Sequence, residues 1–304
     1  MVRCSLLSWN YRSFNYKNGV KGKLKGQIKN VNYESTNAEN LKGNTNNELF
    51  GAIGYLTKLD LFKKIENKSK QLLSPKILLR YAPGQMRKET SGVKINPDNI
   101  FSLDRLNTKN NFESGLSATV GFDYEIDTKN NNFNFSAGQI INNKENKNMP
   151  KVTSLDEKLS DFVGSSSLKI KDKVEINYDF SIDQNFNDIN YNELDTSINM
   201  SPIKFNFGYL QEKKHIGNNE YFKTKVDFNK NDDGIFSFET KRNLITNSAE
   251  YYNLSYEYHN DCLRAGLVYR REFYNDSELE PENSLMFKIT LVPFANISSP
   301  SVSQ

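Results

Sequence analysis

The residues whose types could do chemistry are few, and their spacing argues against it. Asn229-Lys-Asn231-Asp-Asp233-Gly234 with Glu239 approaches a calcium loop, in which side-chain oxygens converge around a turn made at a glycine. Such a loop needs its bidentate acid at the twelfth position, where this sequence has Thr240, and helices on both sides. Runs of alternating polarity flank it instead, so the stretch reads as a hairpin turn. Asp179 and Asp183 share one face of a strand and have the chemistry of a general acid and base. The same alternation arises wherever one face of a strand meets water, and we read it so. His215 and His259 have no second His or Cys nearby and read as polar strand or loop residues. No Ser-His-Asp spacing, glycine-rich phosphate loop or zinc motif is present. The expectation is a protein that is not an enzyme and holds no cofactor or metal.

The elements that carry these residues are strands. Between Ala249 and Phe294 three consecutive runs sort by parity. Tyr252, Leu254, Tyr256 and Tyr258 alternate with Asn253, Ser255, Glu257 and His259. Leu263, Ala265, Leu267 and Tyr269 alternate with Arg264, Gly266, Val268 and Arg270. Leu285, Phe287, Ile289 and Leu291 alternate with Met286, Lys288, Thr290 and Val292. A period of two puts one set on each face of a sheet. The same beat runs through Val174–Ile182, where Glu175, Asn177, Asp179 and Ser181 are the polar set, and through 203–209 and 222–228.

Upstream, Leu6–Tyr16 turns at Lys17-Asn18-Gly19 into a strand from Val20 to about Glu34. An Asn-rich loop, 36–47, leads to a strand opening at Leu49, and a polar turn at 64–70 precedes a strand at Pro75–Tyr81. Outward Leu116, Val120, Phe122 and Tyr124 mark another strand. Two long connections, 85–111 and 142–160, stand out, because irregular stretches of that length usually have a job or are mobile.

Composition fits one greasy face and one wet one. Hydrophobic residues make up only 37% of the 304, while 20 Phe and 16 Tyr make the chain generous in aromatics. That pairing suits a sheet with an aromatic outer face and a polar inner face. About fifteen strands, many of about ten residues, match the ~9–11 residues that cross a bilayer at a tilt, whereas soluble sandwich strands have about five or six. In hydrocarbon every backbone group needs a partner inside the fold, which leaves a closed barrel as the strand solution. The fold class expected is therefore all-β: an antiparallel up-and-down transmembrane β-barrel, of which this chain is a part. The domain reading is barrel over 1–294 and a polar tail over 295–304.

A net charge of +3 without a dense basic cluster gives no argument for nucleic acid, and none is expected as a partner. Cys4 and Cys262 lie too far apart in sequence for a metal knuckle or redox pair. No run of apolar residues is long enough for a membrane helix, and the N-terminus lacks the apolar core of a secretory signal.

Three segments then suggest a family. Ser74-Pro-Lys-Ile-Leu-Leu-Arg-Tyr-Ala-Pro-Gly84, Asn99-Ile-Phe-Ser-Leu-Asp-Arg-Leu106 leading into Glu113-Ser-Gly115, and Asp261-Cys-Leu-Arg-Ala-Gly-Leu-Val-Tyr-Arg-Arg-Glu-Phe-Tyr274 with Glu280–Leu291 resemble the C-terminal portion of the lipopolysaccharide-assembly protein LptD, or organic solvent tolerance protein. The resemblance implies a Gram-negative outer-membrane barrel that receives lipopolysaccharide from a periplasmic LptA-like bridge and releases it into the outer leaflet. It implies a preceding jellyroll domain, an LptE-like lipoprotein plugging the lumen, and a seam at the last strand that opens sideways. By position the seam strand would carry Leu285, Phe287, Ile289, Leu291 and Phe294, and Cys262 would be the cysteine that many members bond to one near their N-terminus. Glu175, Asp179, Asp183, Arg264 and Arg270 would face the polar lumen. With no jellyroll and too few strands for the family's closure, the chain looks like a C-terminal fragment. The alternative reading is a general porin or autotransporter barrel, and a third is a soluble or surface-attached β protein.

Overall fold

The computed structural model describes residues 2–11, 13–35, 44–65, 69–90, 94–214, 217–231, 234–259, 263–273, 282–291, 295–298 and 302–303. Among them the chain is all-β, an antiparallel up-and-down sheet with one 3-10 turn at Lys151–Thr153 and no α-helix. Fifteen strands have nine residues or more, and four are shorter. The fold class read from parity is thus the one observed.

The chain divides into two compact units. The first comprises Met1–Ser167, Asp179–Tyr191 and Lys213–Gly217, and the second Leu168–Tyr178, Asn192–Glu212 and Asn218–Gln304.

In the first unit, β1 (Val2–Asn10) and β2 (Phe14–Asn15) pair with β3 (Val20–Ser35), and β3 pairs with β4 (Asn44–Leu59). The turn before β3 closes as Lys17-Asn18-Gly19 predicts: Gly19 has φ +84, and the Tyr16 N–H donates to Val20 O at 2.9 Å. Next come β5 (Leu61–Ile65), β6 (Ser69–Ala82), β7 (Gly115–Asp127) and β8 (Asn131–Asn142). The sequence reading opened the fourth strand at Pro75, but β6 begins six residues earlier and carries Pro75 inside it. Proline is tolerated there because the pairing of β4 stops at Lys58↔Lys76 and that of β5 starts at Leu61↔Leu73. The missing N–H thus falls at a break in the ladder. Asp60 fills that break, accepting from Ser74 Oγ at 2.7 Å and pairing with Lys21 at 2.7 Å.

In the second unit, β12 (Ile203–Glu212), β13 (Asn219–Asn231), β14 (Gly234–Asn243), β15 (Ser248–His259), β16 (Leu263–Glu272) and β17 (Asn283–Leu291) form one antiparallel meander. The calcium-like stretch is a hairpin as expected, with Asn231 opposite Gly234. Asp232 and Asp233 lie outside the described residues. The last ten residues were expected as a tail. Instead β18 (Ala295–Ser298) and β19 (Val302–Ser303) pair with β17. The physical reason is that β17 would otherwise present a row of unpaired N–H and C=O groups along its edge.

Register shows how the two faces separate. Across β14 to β17, Phe236, Tyr256, Leu267 and Phe287 fall in one row, and Phe238, Leu254, Tyr269 and Leu285 in the next but one. All eight are 39–51% exposed. Ser237, Ser255, Val268 and Met286 occupy the row between and point the other way. In water this contiguous apolar patch would drive association; in lipid it is at home.

Candidate functional site

In the first unit the wall's polar parity is not left wet. Residues 83–90, 94–114 and 143–161 of the long connections fold onto it as a plug. Leu78, Ile140 and Val163 from the strands join Met86, Ile95, Ile100, Phe101, Leu106, Met149 and Leu155 from the connections in one buried cluster. Ala52, Ala82, Leu103 and Phe112 make a second. The outward neighbours on the same strand, Ile77, Leu79 and Tyr81, stay exposed.

Local sequence turns the plug onto the wall. Asn96 Oδ1 accepts from the N–H groups of Asp98 and Asn99, and Asn99 Oδ1 accepts from the Asn96 N–H at 2.9 Å. This asparagine turn delivers Ile100, Phe101 and Leu103 to the sheet. Glycines give them room: a Cβ at Gly138 would stand 2.6 Å from Ile100 Cδ1, and one at Gly54 2.6 Å from Leu103 Cδ2. The two connections are tied together, with the Glu89 N–H donating to Asn148 O at 2.9 Å and Asn148 Nδ2 to Met86 O at 3.2 Å.

Charges pin the plug to the wall. Lys29 on β3 reaches Asp104 Oδ2 at 2.7 Å and Asn111 O at 3.1 Å. Arg80 on β6 is 1% exposed; its Nε donates to Leu103 O at 2.7 Å and its Nη2 to Glu113 O at 2.5 Å. Arg105 of the plug donates Nε to Glu113 Oε2 at 2.7 Å, Nη2 to Glu113 Oε1, and Nη2 to Ser117 Oγ of β7 at 3.0 Å. Glu113 is therefore the shared counter-charge of two buried guanidiniums. Nη1 of both has no hydrogen-bond acceptor among the described residues. Burial alone pushes the Glu113 carboxyl up, but Arg105 and Arg80 together outweigh it and hold the group below the ordinary glutamate range. Farther out, Arg87 pairs with Glu48 at 3.1 Å, and Glu48 also accepts from Tyr33 Oη.

The polar face of the second unit is open and charged. Lys223 pairs with Glu239 at 2.9 Å, Lys225 with Asp227 at 3.0 Å, Lys241 with Glu250 at 2.6 Å, and Arg270 with Glu272. A trough of about 660 Å³ lies among Lys204, Lys225, Asp227, Ser237, Ser255 and Glu257. Beside it a notch of about 240 Å³ is lined by Glu257, Arg264, Gly266, Lys288 and Thr290.

The residues singled out from sequence are thus dispersed. Glu175 sits on β10 (Val174–Ile182) in the second unit and pairs with Lys169 at 3.4 Å. Asp179 and Asp183 belong to the first unit, and Asp183 Oδ2 accepts from the Asn185 N–H at 3.2 Å. Arg264 lines the notch, and the Arg270 guanidinium lies over the Tyr251 ring at 4.5 Å. On β17, Leu285 and Phe287 are exposed and Ile289 is half-buried, while Leu291 ends the strand opposite Leu263 and Ala295. Cys262, Phe294 and His215 lie outside the described residues. Cys4 is exposed on β1. Sequence reasoning missed Lys29, Arg80, Arg105 and Glu113. The available signal was Arg80 in the polar parity of a strand, opposite a long connection that carries both Arg105 and Glu113.

A search of curated proteins finds no match. Among solved structures the chain is similar to a mutant porin of Rh. blastica (TM-score 0.38, 10% identity, 97% of this chain and 93% of that chain covered). It is also similar to a triple mutant of Rhodopseudomonas blastica porin (TM-score 0.37, 9% identity, 99% and 98% covered). Likenesses this distant carry no weight here. The family model for LPS transport system D, LptD, matches residues 27–256, a span holding most of the wall and the whole plug. With an all-β up-and-down sheet, lipid-type apolar rows and well over half its length matched, this chain belongs to the LptD family of outer-membrane lipopolysaccharide transport barrels.

Proposed function

We propose that this chain forms wall and plug of an outer-membrane translocon that inserts lipopolysaccharide into the outer leaflet. The observation that carries the reading is the two-faced sheet: rows of exposed Phe, Tyr and Leu on one side, charge and hydroxyl on the other. An amphiphile needs both, a polar passage for its sugars and an apolar surround for its acyl chains. In this reading Glu175, Asp179, Asp183, Arg264 and Arg270 are the residues that face the polar passage. The partners are an LptE-like lipoprotein and an LptA-like bridge. No bond is made or broken, so the work is geometric.

A lateral exit for the acyl chains is assigned to β17. Its pairing with β16 runs over nine residue pairs, whereas its other edge is covered by only four pairs to β18 and two to β19. The weaker edge is the one to part. Photo-crosslinkers at Leu285, Phe287, Ile289 and Leu291, introduced in cells, are expected to capture lipopolysaccharide in higher yield than one at Val226 on β13. Capture at none of the four would remove the seam and the insertion role with it.

A further inference from the structure

We propose that the notch on the polar face of β15 to β17 is a binding site for a phosphorylated sugar headgroup, gripped by Arg264 and Lys288. The proposal rests on the transport reading and assigns a handhold within it. Register places Glu257, Gly266 and Lys288 in one row across the three strands, with Arg264 and Thr290 in the adjacent row. Gly266 leaves the middle of that row empty. A Cβ there would meet only Tyr256 O at 3.9 Å and Lys288 O at 4.0 Å, so neither backbone nor packing requires the glycine. The result is the cavity of about 240 Å³ that these five residues line.

The charge pattern says what it takes. Along β13 to β17, Lys223, Lys225, Lys241 and Arg270 on the polar face each have a carboxylate partner. Arg264 and Lys288 make no ion pair among the described residues, and both are exposed. Two unneutralised cations, one a planar fork and one a point charge, converge on a single notch, which is the donor set for a phosphate monoester. One carboxylate, Glu257, faces them across Gly266. It suits sugar hydroxyls, which donate to it, and with Thr290 it distinguishes a phosphosugar from bare phosphate. On the opposite face of the same strands stand Leu267, Phe287 and Tyr256. A headgroup held in the notch therefore lies directly behind the apolar rows of the last strand, with its acyl chains one strand edge away.

The test uses the full chain in detergent micelles with three probes: a phosphorylated glucosamine-disaccharide glycolipid, its dephosphorylated form, and inorganic phosphate. The R264Q/K288Q double variant is expected to bind the phosphorylated glycolipid at least tenfold more weakly than wild type and the dephosphorylated form equally. G266L, which fills the notch without touching either cation, should weaken the phosphorylated probe likewise, and K288R should retain it. An unchanged Kd in the double variant, with wild type still binding the glycolipid, overturns the notch and leaves the transport reading standing. Inorganic phosphate binding as tightly as the glycolipid makes this a plain anion site and overturns the sugar assignment. Failure of wild type to bind either glycolipid overturns both readings. Both charge substitutions are on exposed residues, and unchanged thermal unfolding of the variants verifies that the wall is intact.

Discussion

Replacing Glu113 by glutamine is expected to unseat the plug while the strands persist. The substitution keeps shape but removes the one carboxylate that two buried guanidiniums share, Arg80 from the wall and Arg105 from the plug. Breaking a buried ion pair by deleting one partner costs about 3–5 kcal/mol, because the remaining charge is stranded away from water. Here Arg105 loses its paired carboxylate, and Arg80 loses a counter-charge while keeping its bonds to Leu103 O and Glu113 O. Because the apolar clusters around Ile100 and Leu103 contribute separately, the loss should appear as local opening of 83–114 rather than global unfolding. The readout is tryptic cleavage at Lys88 and Lys109, which should accelerate by at least tenfold in E113Q, with strand content unchanged by circular dichroism. Acid should reproduce the effect in wild type. The folded-state carboxyl titrates below its unfolded value, so its contribution is complete above the ordinary glutamate range and lost as pH falls through the depressed value. Cleavage by an acid-tolerant protease should therefore be flat from neutral pH down to the ordinary range and rise only below it. An E113Q digest indistinguishable from wild type would remove the latch from this account.

The second large effect separates the two faces of one strand. Leu254→Lys puts a charge among Phe238, Tyr269 and Leu285, in the middle of an exposed apolar row. Ser255→Lys adds the same charge one residue along, on the face with Glu257 and Ser237. If the apolar rows face hydrocarbon, L254K should lower the stability of the lipid-refolded chain by about 2–4 kcal/mol, as lysine does at the midplane of a membrane barrel. S255K should change it by under about 0.5 kcal/mol, the usual range for a surface substitution. Denaturant titration in vesicles measures both. Equal effects would mean that the two faces meet the same solvent.

What the sequence made legible was everything written with a period of two. The rows of β14 to β16 follow from parity, because the connections 244–247 and 260–262 are short enough to leave little freedom of register. Pro75 misled the reading of β6 for a local reason: proline is a sound argument against a strand interior until a break in the neighbouring ladder removes the need for its N–H. The plug was hidden for a deeper one. Ile100, Leu103 and Phe112 lie in irregular chain with no period, and their partners, Leu78 and Ile140 for the first and Ala52 and Ala82 for the other two, sit at positions that parity assigns to a wet face. Apart from Arg80 in the polar parity and the charges Arg105 and Glu113 in the connection, nothing in the linear sequence says that the connection returns to cover them. The polar tail was misread similarly, since what orders Ala295–Ser298 is the open edge of β17 rather than any preference of its own.

The most direct test of the central claim is the alternation itself, measured in lipid. Single cysteines at residues 252 to 258, in a chain whose Cys4 and Cys262 are replaced by serine, would carry a fluorophore in one series and be reacted with a membrane-impermeant maleimide in another. Quenching by brominated acyl chains should be strong at 252, 254, 256 and 258 and weak at 253, 255 and 257, with maleimide reactivity in the opposite phase. Quenching that is uniformly weak along the strand, with every position reacting from water, would contradict the membrane wall and the transport role built on it.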